Sequence, residues 1–371
     1  MIENHRLRWI EWAVALLTVA AIVFLHLVNL RHAGGLWRDE VVTYRVATMP
    51  SLAELWSSIW YDSFPGGIHL VLRLWSGLGG GTSDLGLRLF GALIGLGVLA
   101  VVWLDARLLG SRFPFLSMML IGFSPVVIRF GDSIRAYGFG IVTILLAFGL
   151  IWKVTETPTP RRILFATAAA ILSVQTLYQN TVLLTAICLG GVAVTLWHGE
   201  RKQSAAVVVA IWLAAMLALV PYRGILSKAS EGKLLMPFDV SLARLFKVLS
   251  EVLASPVDFL LWVWIALFIL GTGLAVYIAA FRPGGPAADS QRDVVVFCAT
   301  AMVTGTIGFM AFMKILNLPS QPWNYIPLAA FAAVALEGIF SVLTTTALGR
   351  LATVVLALSM MGSIVLYRGS K

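Results

Sequence analysis

Long apolar runs alternate with short polar segments along this chain. About eleven runs approach the roughly 20 residues that a helix needs to cross a membrane. In chain order the runs are Trp9–Leu30, Leu85–Leu104, Pro114–Ile128, Ala136–Trp152, Ile163–Leu177, Val182–Trp197, Ala205–Val220, Val257–Phe281, Val294–Met313, Ile326–Leu343 and Leu351–Leu366. Because hydrocarbon offers no water to backbone polar groups, such runs predict helices rather than strands.

The composition agrees with that pattern. Of the 371 residues, 59% are hydrophobic and only 12% are charged, whereas about a quarter of the residues of a soluble domain are charged. We therefore expect an all-α, polytopic membrane bundle that forms a single domain over residues 1–371, with no soluble domain. The first run is too long for a removable signal peptide and lacks a small-residue cleavage site, so it is expected to remain as a helix.

Two longer polar segments are expected on one side of the membrane. The first covers residues 31–84 and contains Leu52–Trp60, whose apolar residues recur at helical spacing and predict an amphipathic helix in the interface. The second covers residues 222–255, carries several basic residues, and is expected to cover the site as a mobile loop.

Basic residues predict the orientation. They recur at alternate turns, from Arg6 and Arg8 to Arg350, and the positive-inside tendency places those turns in the cytoplasm. The two longer polar segments then face outward. A plain count of basic residues does not favour this orientation, because the outer face also carries many of them. Under this orientation, its charge indicates an anionic ligand or a lipid headgroup.

An acidic pair follows the first apolar run directly, in the sequence Trp37-Arg38-Asp39-Glu40. Two adjacent carboxylates near a medium of low dielectric constant are costly to hold there, which indicates chemistry rather than packing. The alternative is that both residues cap and solvate the start of the next helix, where acidic residues are common.

A series of short motifs surrounds this pair in a fixed order. The motifs are Leu36-Trp37-Arg38-Asp39-Glu40, Asp62-Ser63-Phe64-Pro65, His69-Leu70-Val71-Leu72-Arg73-Leu74-Trp75, Leu87-Arg88-Leu89, Ser124-Pro125 and Ile134-Arg135-Ala136-Tyr137. Their order and spacing resemble the membrane glycosyltransferases of the C-type superfamily. More narrowly, they resemble the bacterial branch related to protein O-mannosyltransferases and to the aminoarabinose transferase of lipid A. The resemblance extends over about residues 36 to 150.

The resemblance implies an enzyme of the bacterial inner membrane whose active site faces the periplasm or the outside. It would move a sugar from a polyprenyl-phosphate donor to a lipid, glycan or protein acceptor among membrane lipids, with no nucleic acid as a partner. Asp39 matches the family's catalytic base, with Glu40 beside it, and Arg135 and Tyr137 match a position near the donor phosphate. The stretch from Asp62 to His69 matches a region that shapes the cavity, where some members bind a divalent metal.

The chain departs from the family pattern at three places. It has Pro65-Gly66-Gly67 where the family usually has two prolines, and Tyr178-Gln179-Asn180 where a histidine often follows a tyrosine. In the segment Gln321-Pro322-Trp323-Asn324-Tyr325, Trp323 stands where many members have an arginine. These departures affect the metal and the usual phosphate contacts. We expect the side chains at these positions to lie on the cavity or acceptor side: Asp62, Pro65, His69, Tyr178, Gln179, Asn180, Trp323, Asn324 and Tyr325.

Transfer of a sugar from a lipid phosphate requires two kinds of side chain, whatever the family. Because a lipid phosphate is a good leaving group, the reaction needs a carboxylate to take the acceptor's proton and cations to stabilise the departing phosphate. The main cation would be Arg135, and the assisting cations would be Arg129, Arg38 and Lys314. Neighbouring side chains on a helix diverge by about 100°, so one of Asp39 and Glu40 would do chemistry while the other positions it.

Each assignment has a structural alternative. Arg135 can pair with Asp132, three residues earlier on one helix face. The aromatic residues Tyr137, Trp323 and Tyr325 also suit the belt at a membrane interface. His69 is more often a packed side chain than a metal ligand. Gln179 and Asn180, at the end of a helix, can simply be solvated.

For the whole protein, the alternatives are a transporter or lipid flippase and a non-catalytic relative of the transferase fold. A transport path would place charges in mid-membrane. Here the runs are mostly free of acidic residues, and the polar residues are expected at one end of the bundle, which favours chemistry at the interface.

Overall fold

The computed structural model describes residues 2–197, 202–225, 227, 240–281, 286–317 and 320–369. Within these residues the chain is helical and contains no β-strand, as the apolar pattern predicts. The helices are α1 (Ile2–His32), α2 (Arg38–Ala47), α3 (Leu52–Ser58), α4 (Gly67–Trp75), α5 (Asp84–Leu108), α6 (Phe115–Ser117), α7 (Pro125–Gly131), α8 (Ala136–Glu156), α9 (Pro160–Thr176), α10 (Asn180–Trp197), α11 (Lys202–Leu217), α12 (Leu242–Leu253), α13 (Phe259–Phe281), α14 (Pro286–Leu316), α15 (Ile326–Phe340) and α16 (Ala347–Gly369).

Eight helices of the described residues are long and apolar enough to cross a membrane, so the chain is an integral membrane protein. The expected number of about eleven is too high by this criterion. Each of the eleven runs does fall on a helix or a broken helix, but two of them are short: residues 115–131, which are broken, and residues 160–176. Apolar composition alone therefore overestimates the number of full-length spans.

The break in residues 115–131 has a local cause. A π-helical turn, Met118–Gly122, follows α6, and the chain then leaves the helix before Pro125. Proline lacks the N–H that would continue the ladder and restricts the residue before it. The hydroxyl of Ser124 instead accepts a hydrogen bond from the Val127 N–H and caps α7.

Buried polar groups lie at both ends of the bundle, so the expectation that they gather at one end is wrong. On α1, Glu11 and His26 are separated by 15 residues, or about 22 Å of helix. Glu11 pairs with Arg350, whereas His26 pairs with Asp132. We call these the Glu11 end and the His26 end.

The segment between α1 and α5 packs on the His26 end. Its predicted amphipathic helix is present as α3, followed by a 3₁₀ turn at Ile59–Tyr61. Leu55 and Ile59 are buried, while Trp56 and Trp60 are partly exposed. One face of α3 and the 3₁₀ turn thus packs on the protein, and the opposite face is free to lie in the membrane interface. Of the second polar segment, Lys228 and Lys233 lie outside the described residues.

Candidate active site

Glu40 is fixed in the first turn of α2. Its carboxylate is buried and accepts hydrogen bonds from the Arg88 guanidinium at 2.8 Å and from the main-chain N–H of Ile134 at 3.1 Å. The other oxygen accepts from the N–H of Trp37 at 3.1 Å, which is the half of a capping box that the N3 residue supplies. All of these partners saturate the carboxylate, so Glu40 fits the positioning role.

Arg135 is a buried hub beneath α2. Its Nη1 donates to the main-chain carbonyl of Asp39 at 3.0 Å, to the Thr43 hydroxyl at 2.9 Å and to the Asp62 carboxylate at 2.7 Å. Its guanidinium carbon lies 4.4 Å from the centroid of the Phe64 ring. Arg135 therefore connects α2 to the start of α8, and it does not form the pair with Asp132 that helical spacing allowed.

Asp62 is the counter-ion of this hub. Besides Arg135, its carboxylate accepts hydrogen bonds from the Thr43 hydroxyl at 2.6 Å and the Ser63 N–H at 2.9 Å, and His69 Nε2 lies at 3.1 Å. Burial alone would raise the pKa of Asp62, but the hydrogen bond with His69 and the charge of Arg135 hold that pKa below its ordinary value. Asp62 is thus an ionised structural carboxylate.

His69 lies between two hydrogen-bond acceptors. Its side chain is fully buried, with Nδ1 3.3 Å from the carbonyl of Pro65 and Nε2 facing the Asp62 carboxylate. Each ring nitrogen faces one of these acceptors, so neither nitrogen is left free to bind a metal. The packed alternative for His69 therefore fits the geometry better than a metal ligand.

Asp39 differs from these carboxylates. Its side chain is 26% exposed, and its recorded partner is the Nε of Arg38, at 3.1 Å, whose own side chain is 91% exposed. Tyr137 is buried, and its ring centroid lies 6.4 Å from that of Trp323. Arg135 thus holds the backbone of Asp39, while the Asp39 carboxylate remains accessible.

A cavity of about 390 Å³ lies beside this turn, between the ends of α1, α5 and α7 and the turn before α15. Trp37, Phe130 and Trp323 form an aromatic wall, with ring centroids 5.7 Å apart for the two tryptophans and 4.9 Å for Phe130 and Trp323. The exposed Arg129 and the half-buried Arg88 supply positive charge. Asp39 and Arg135 do not line this cavity, although Trp37 and Glu40 on either side of Asp39 do.

The Pro65-Gly66-Gly67 departure has a packing reason. The N–H of Gly66 donates to the Tyr222 hydroxyl at 3.0 Å, a bond that a proline could not make. A Cβ on Gly67 would lie 2.5 Å from the main-chain carbonyl oxygen of Gln175. The two glycines let the chain from α4 pack closely against the end of α9 and the Tyr222 turn.

Other predicted site residues lie elsewhere. Lys314 is exposed and donates to the carbonyl of Val240. Asn180 is buried and donates to Gly140 and Ser173, which makes it a packing residue.

The remaining predicted positions do not line the cavity. The Tyr325 hydroxyl bonds to Ser320 in a buried site. Tyr178 packs near Tyr222, at 6.2 Å between ring centroids. Gln179 and Asn324 are half-buried and do not line the cavity.

Sequence reasoning missed the pair between His26 and Asp132. His26 Nδ1 lies 2.8 Å from one oxygen of the buried Asp132 carboxylate, and the Asn29 amide donates to the other at 3.0 Å. Burial raises the pKa of Asp132 despite these partners. The available signal was that a histidine and an asparagine occur near the end of an otherwise apolar run.

The described residues contain no group of three or more histidine, cysteine, aspartate or glutamate side chains arranged to hold a metal. The two closest candidates for metal ligands in the predicted region are Asp62 and His69. Their polar atoms already form hydrogen bonds with each other and with Arg135, Thr43 and Ser63. The implied divalent cation therefore does not fit these side chains.

Comparison with known proteins gives one kind of match. No protein-family model and no curated protein matches the chain. The structure of the Archaeoglobus fulgidus oligosaccharyltransferase in complex with Zn and sulfate matches with a TM-score of 0.54 and 14% identity, covering 91% of this chain and 50% of that chain. A structure of archaeal oligosaccharyltransferase AglB from the same organism, in complex with an inhibitory peptide and a dolichol-phosphate, has a TM-score of 0.49 and 13% identity, covering 91% of this chain and 51% of that chain.

The chain thus spans about half the length of the solved structures that it matches. At 14% identity the likeness shows the fold alone, which is similar to that of the solved oligosaccharyltransferase. The resemblance to the C-type glycosyltransferases and to their bacterial branch stays a prediction.

Proposed function

We propose that this protein is a membrane glycosyltransferase that moves a sugar from a polyprenyl-phosphate donor to a hydroxyl of a lipid, glycan or protein acceptor. The reaction takes place at the extracytoplasmic face of a bacterial inner membrane. The observation that carries the proposal is the difference among the three carboxylates around α2. Glu40 and Asp62 are buried and saturated with donors, whereas Asp39 is accessible.

Asp39 acts as the general base. The acceptor oxygen attacks the anomeric carbon of the sugar, the bond from that carbon to the phosphate oxygen breaks, and its electron pair leaves with the lipid phosphate. The acceptor proton passes to the Asp39 carboxylate. A base works only if its oxygen is held within hydrogen-bond reach of that proton, and the buried bonds around α2 supply this rigidity.

The donor headgroup binds in the cavity beside α2, and its sugar extends past the lining residues Trp37 and Glu40 toward Asp39, which does not itself line the cavity. The cavity tryptophans, Trp37 and Trp323, offer flat apolar faces against which a sugar ring can pack, as in most concave sites of mixed polarity. Arg129 at the wall binds the phosphate, because a planar guanidinium can donate to two phosphate oxygens together. We assign Arg38, whose exposed side chain contacts Asp39, as a second cation for the phosphate.

Arg135 has a different role from the one expected. Its Nη1 already serves three acceptors under α2, and Arg135 does not line the cavity. We therefore assign it to positioning the Asp39 backbone, with Asp62 and His69 holding it in place.

The test uses purified protein in lipid nanodiscs, a panel of polyprenyl monophosphate hexoses and pentoses as donors, and a hydroxyl acceptor of each class: a lipid, a glycan and a serine- and threonine-containing peptide. Wild-type protein should release polyprenyl phosphate from at least one donor, and Asp39→Asn should abolish that release. The matched control is Glu54→Gln, which removes an exposed carboxylate from α3 and should keep full activity. Equal rates for Asp39→Asn and wild type, or no release from any donor, would overturn the proposal.

A further inference from the structure

A second charged cluster lies at the Glu11 end, opposite the cavity. The Glu11 carboxylate is buried and accepts hydrogen bonds from Arg350, one from Nε at 2.6 Å and another from Nη2. Arg112, whose side chain is 48% exposed, lies 3.7 Å from the same carboxylate. The Glu11 carboxylate therefore faces two guanidinium groups, and both of its oxygens already accept hydrogen bonds from Arg350.

A third guanidinium completes the group. Arg107 lies 5.6 Å from the centroid of the Phe113 ring. Trp12 and Trp103 meet this ring edge to face, at 5.0 and 6.0 Å. Arg107 is exposed and forms no ion pair among the described residues.

We call Glu11, Arg107, Arg112, Arg350 and Phe113 the Glu11 cluster. Three guanidinium groups and one carboxylate leave it with a net charge of +2. Like charges held together beside a medium of low dielectric constant repel one another strongly. An anion with several oxygens would relieve that repulsion by bridging Arg107 and Arg112, which carry the donors that Glu11 does not use.

The surroundings of the cluster indicate that this anion is part of a lipid. Leu104 lies one helical turn before Arg107 and is 40% exposed, and Leu351 follows Arg350 on the membrane side and is 47% exposed. Trp9, on the same end of α1, is also exposed. Aromatic and basic side chains above exposed leucines are the arrangement that suits a headgroup with its acyl chains below.

We propose that the Glu11 cluster binds the phosphate of an anionic phospholipid at the membrane surface remote from the candidate active site. The headgroup phosphate lies between Arg107 and Arg112, and the acyl chains run along the exposed leucines. Glu11 orders the site by fixing Arg350 and compensating part of the charge. The proposal does not depend on the reaction assigned to Asp39.

The test is native mass spectrometry of the purified protein, titrated with phosphatidylglycerol or with phosphatidylcholine of the same acyl chains. Wild-type protein should retain phosphatidylglycerol preferentially. Arg107→Gln and Arg112→Gln should each weaken that retention by roughly fivefold, as expected for one basic residue near an anionic headgroup. Both side chains are exposed, so the fold should tolerate these changes.

The matched control is Arg161→Gln. Arg161 is an exposed arginine near the start of α9, outside the cluster, and its replacement should leave lipid retention unchanged. Equal retention of the two lipids, or an equal loss in the control, would overturn the proposal. Inorganic phosphate forms the last arm: if it displaces phosphatidylglycerol at matched ionic strength, the site recognises a free phosphate and the lipid assignment is wrong.

Discussion

Arg135 holds Asp39 by its main chain and not by its carboxylate: the guanidinium Nη1 lies 3.0 Å from the Asp39 carbonyl oxygen. The same nitrogen bonds to Asp62, so one buried ion pair fixes the turn on which the proposed base stands. A cation placed in this way acts on the geometry of the base and leaves the donor headgroup to other residues.

Arg135→Met is therefore expected to lower kcat at least tenfold while the KM for the donor changes little. Loss of the hub lets the first turn of α2 move, and a misplaced base costs rate rather than donor affinity. Arg129→Met, on the cavity wall, should do the reverse and raise the donor KM. Steady-state kinetics over a range of donor concentrations distinguish the two, and a raised KM with unchanged kcat in Arg135→Met would return Arg135 to the phosphate site.

The two neighbouring acids should separate in a stability measurement. Glu40→Gln leaves the guanidinium of Arg88, whose side chain is 11% exposed, without its counter-ion, which we expect to cost about 3 kcal/mol, as for other broken pairs of low exposure. Asp39→Asn breaks only a contact with the exposed Arg38 and should leave stability within about 0.5 kcal/mol of wild type.

Urea titration of both variants in the same detergent, followed by tryptophan fluorescence, measures this difference. Activity then follows in the folded fraction, where Glu40→Gln should keep part of the transfer rate and Asp39→Asn none. Equal losses of stability in the two variants would mean that Asp39 also has a buried structural partner.

The sequence predicts the fold well because long apolar runs carry their own signal. It predicts the pairs within the site poorly, since the partners are distant in the chain: Glu40 and Arg88 are 48 residues apart, and Asp62 and Arg135 are 73 apart. From spacing alone, Arg135 could be compared only with its neighbour Asp132.

The break at Ser124 and Pro125 shows the same limit in the fold. Its residues are as apolar as a true span, because they are buried against other helices and do not face lipid. Apolar character thus predicts burial in either environment, and only the packed structure distinguishes the two.

Stability near pH 4 should reflect Asp62. Because the folded-state pKa of Asp62 lies below the ordinary aspartate value of 3.8, its ionised form stabilises the fold above that pH, and the contribution disappears as the pH falls through the lowered pKa. Wild type should therefore exceed Asp62→Asn in melting temperature at neutral pH, and the gap should narrow below about pH 4. Thermal unfolding of both proteins from pH 7 to pH 3 checks this, and a gap that stays constant would place the stabilisation in packing.

The Gly66-Gly67 turn should tolerate added side chains unequally. Gly67→Ala would place a Cβ 2.5 Å from the carbonyl oxygen of Gln175, a backbone atom that cannot turn aside, so we expect a loss of about 2 kcal/mol or more. Gly66→Ala meets the Tyr222 hydroxyl at 3.1 Å, a side-chain atom with some freedom, and should cost less. Gly77→Ala is the matched control, because nothing lies within 4 Å of the added Cβ. Urea unfolding should rank the three in that order, and a Gly67→Ala variant as stable as Gly77→Ala would show that α4 can move away from α9 without cost.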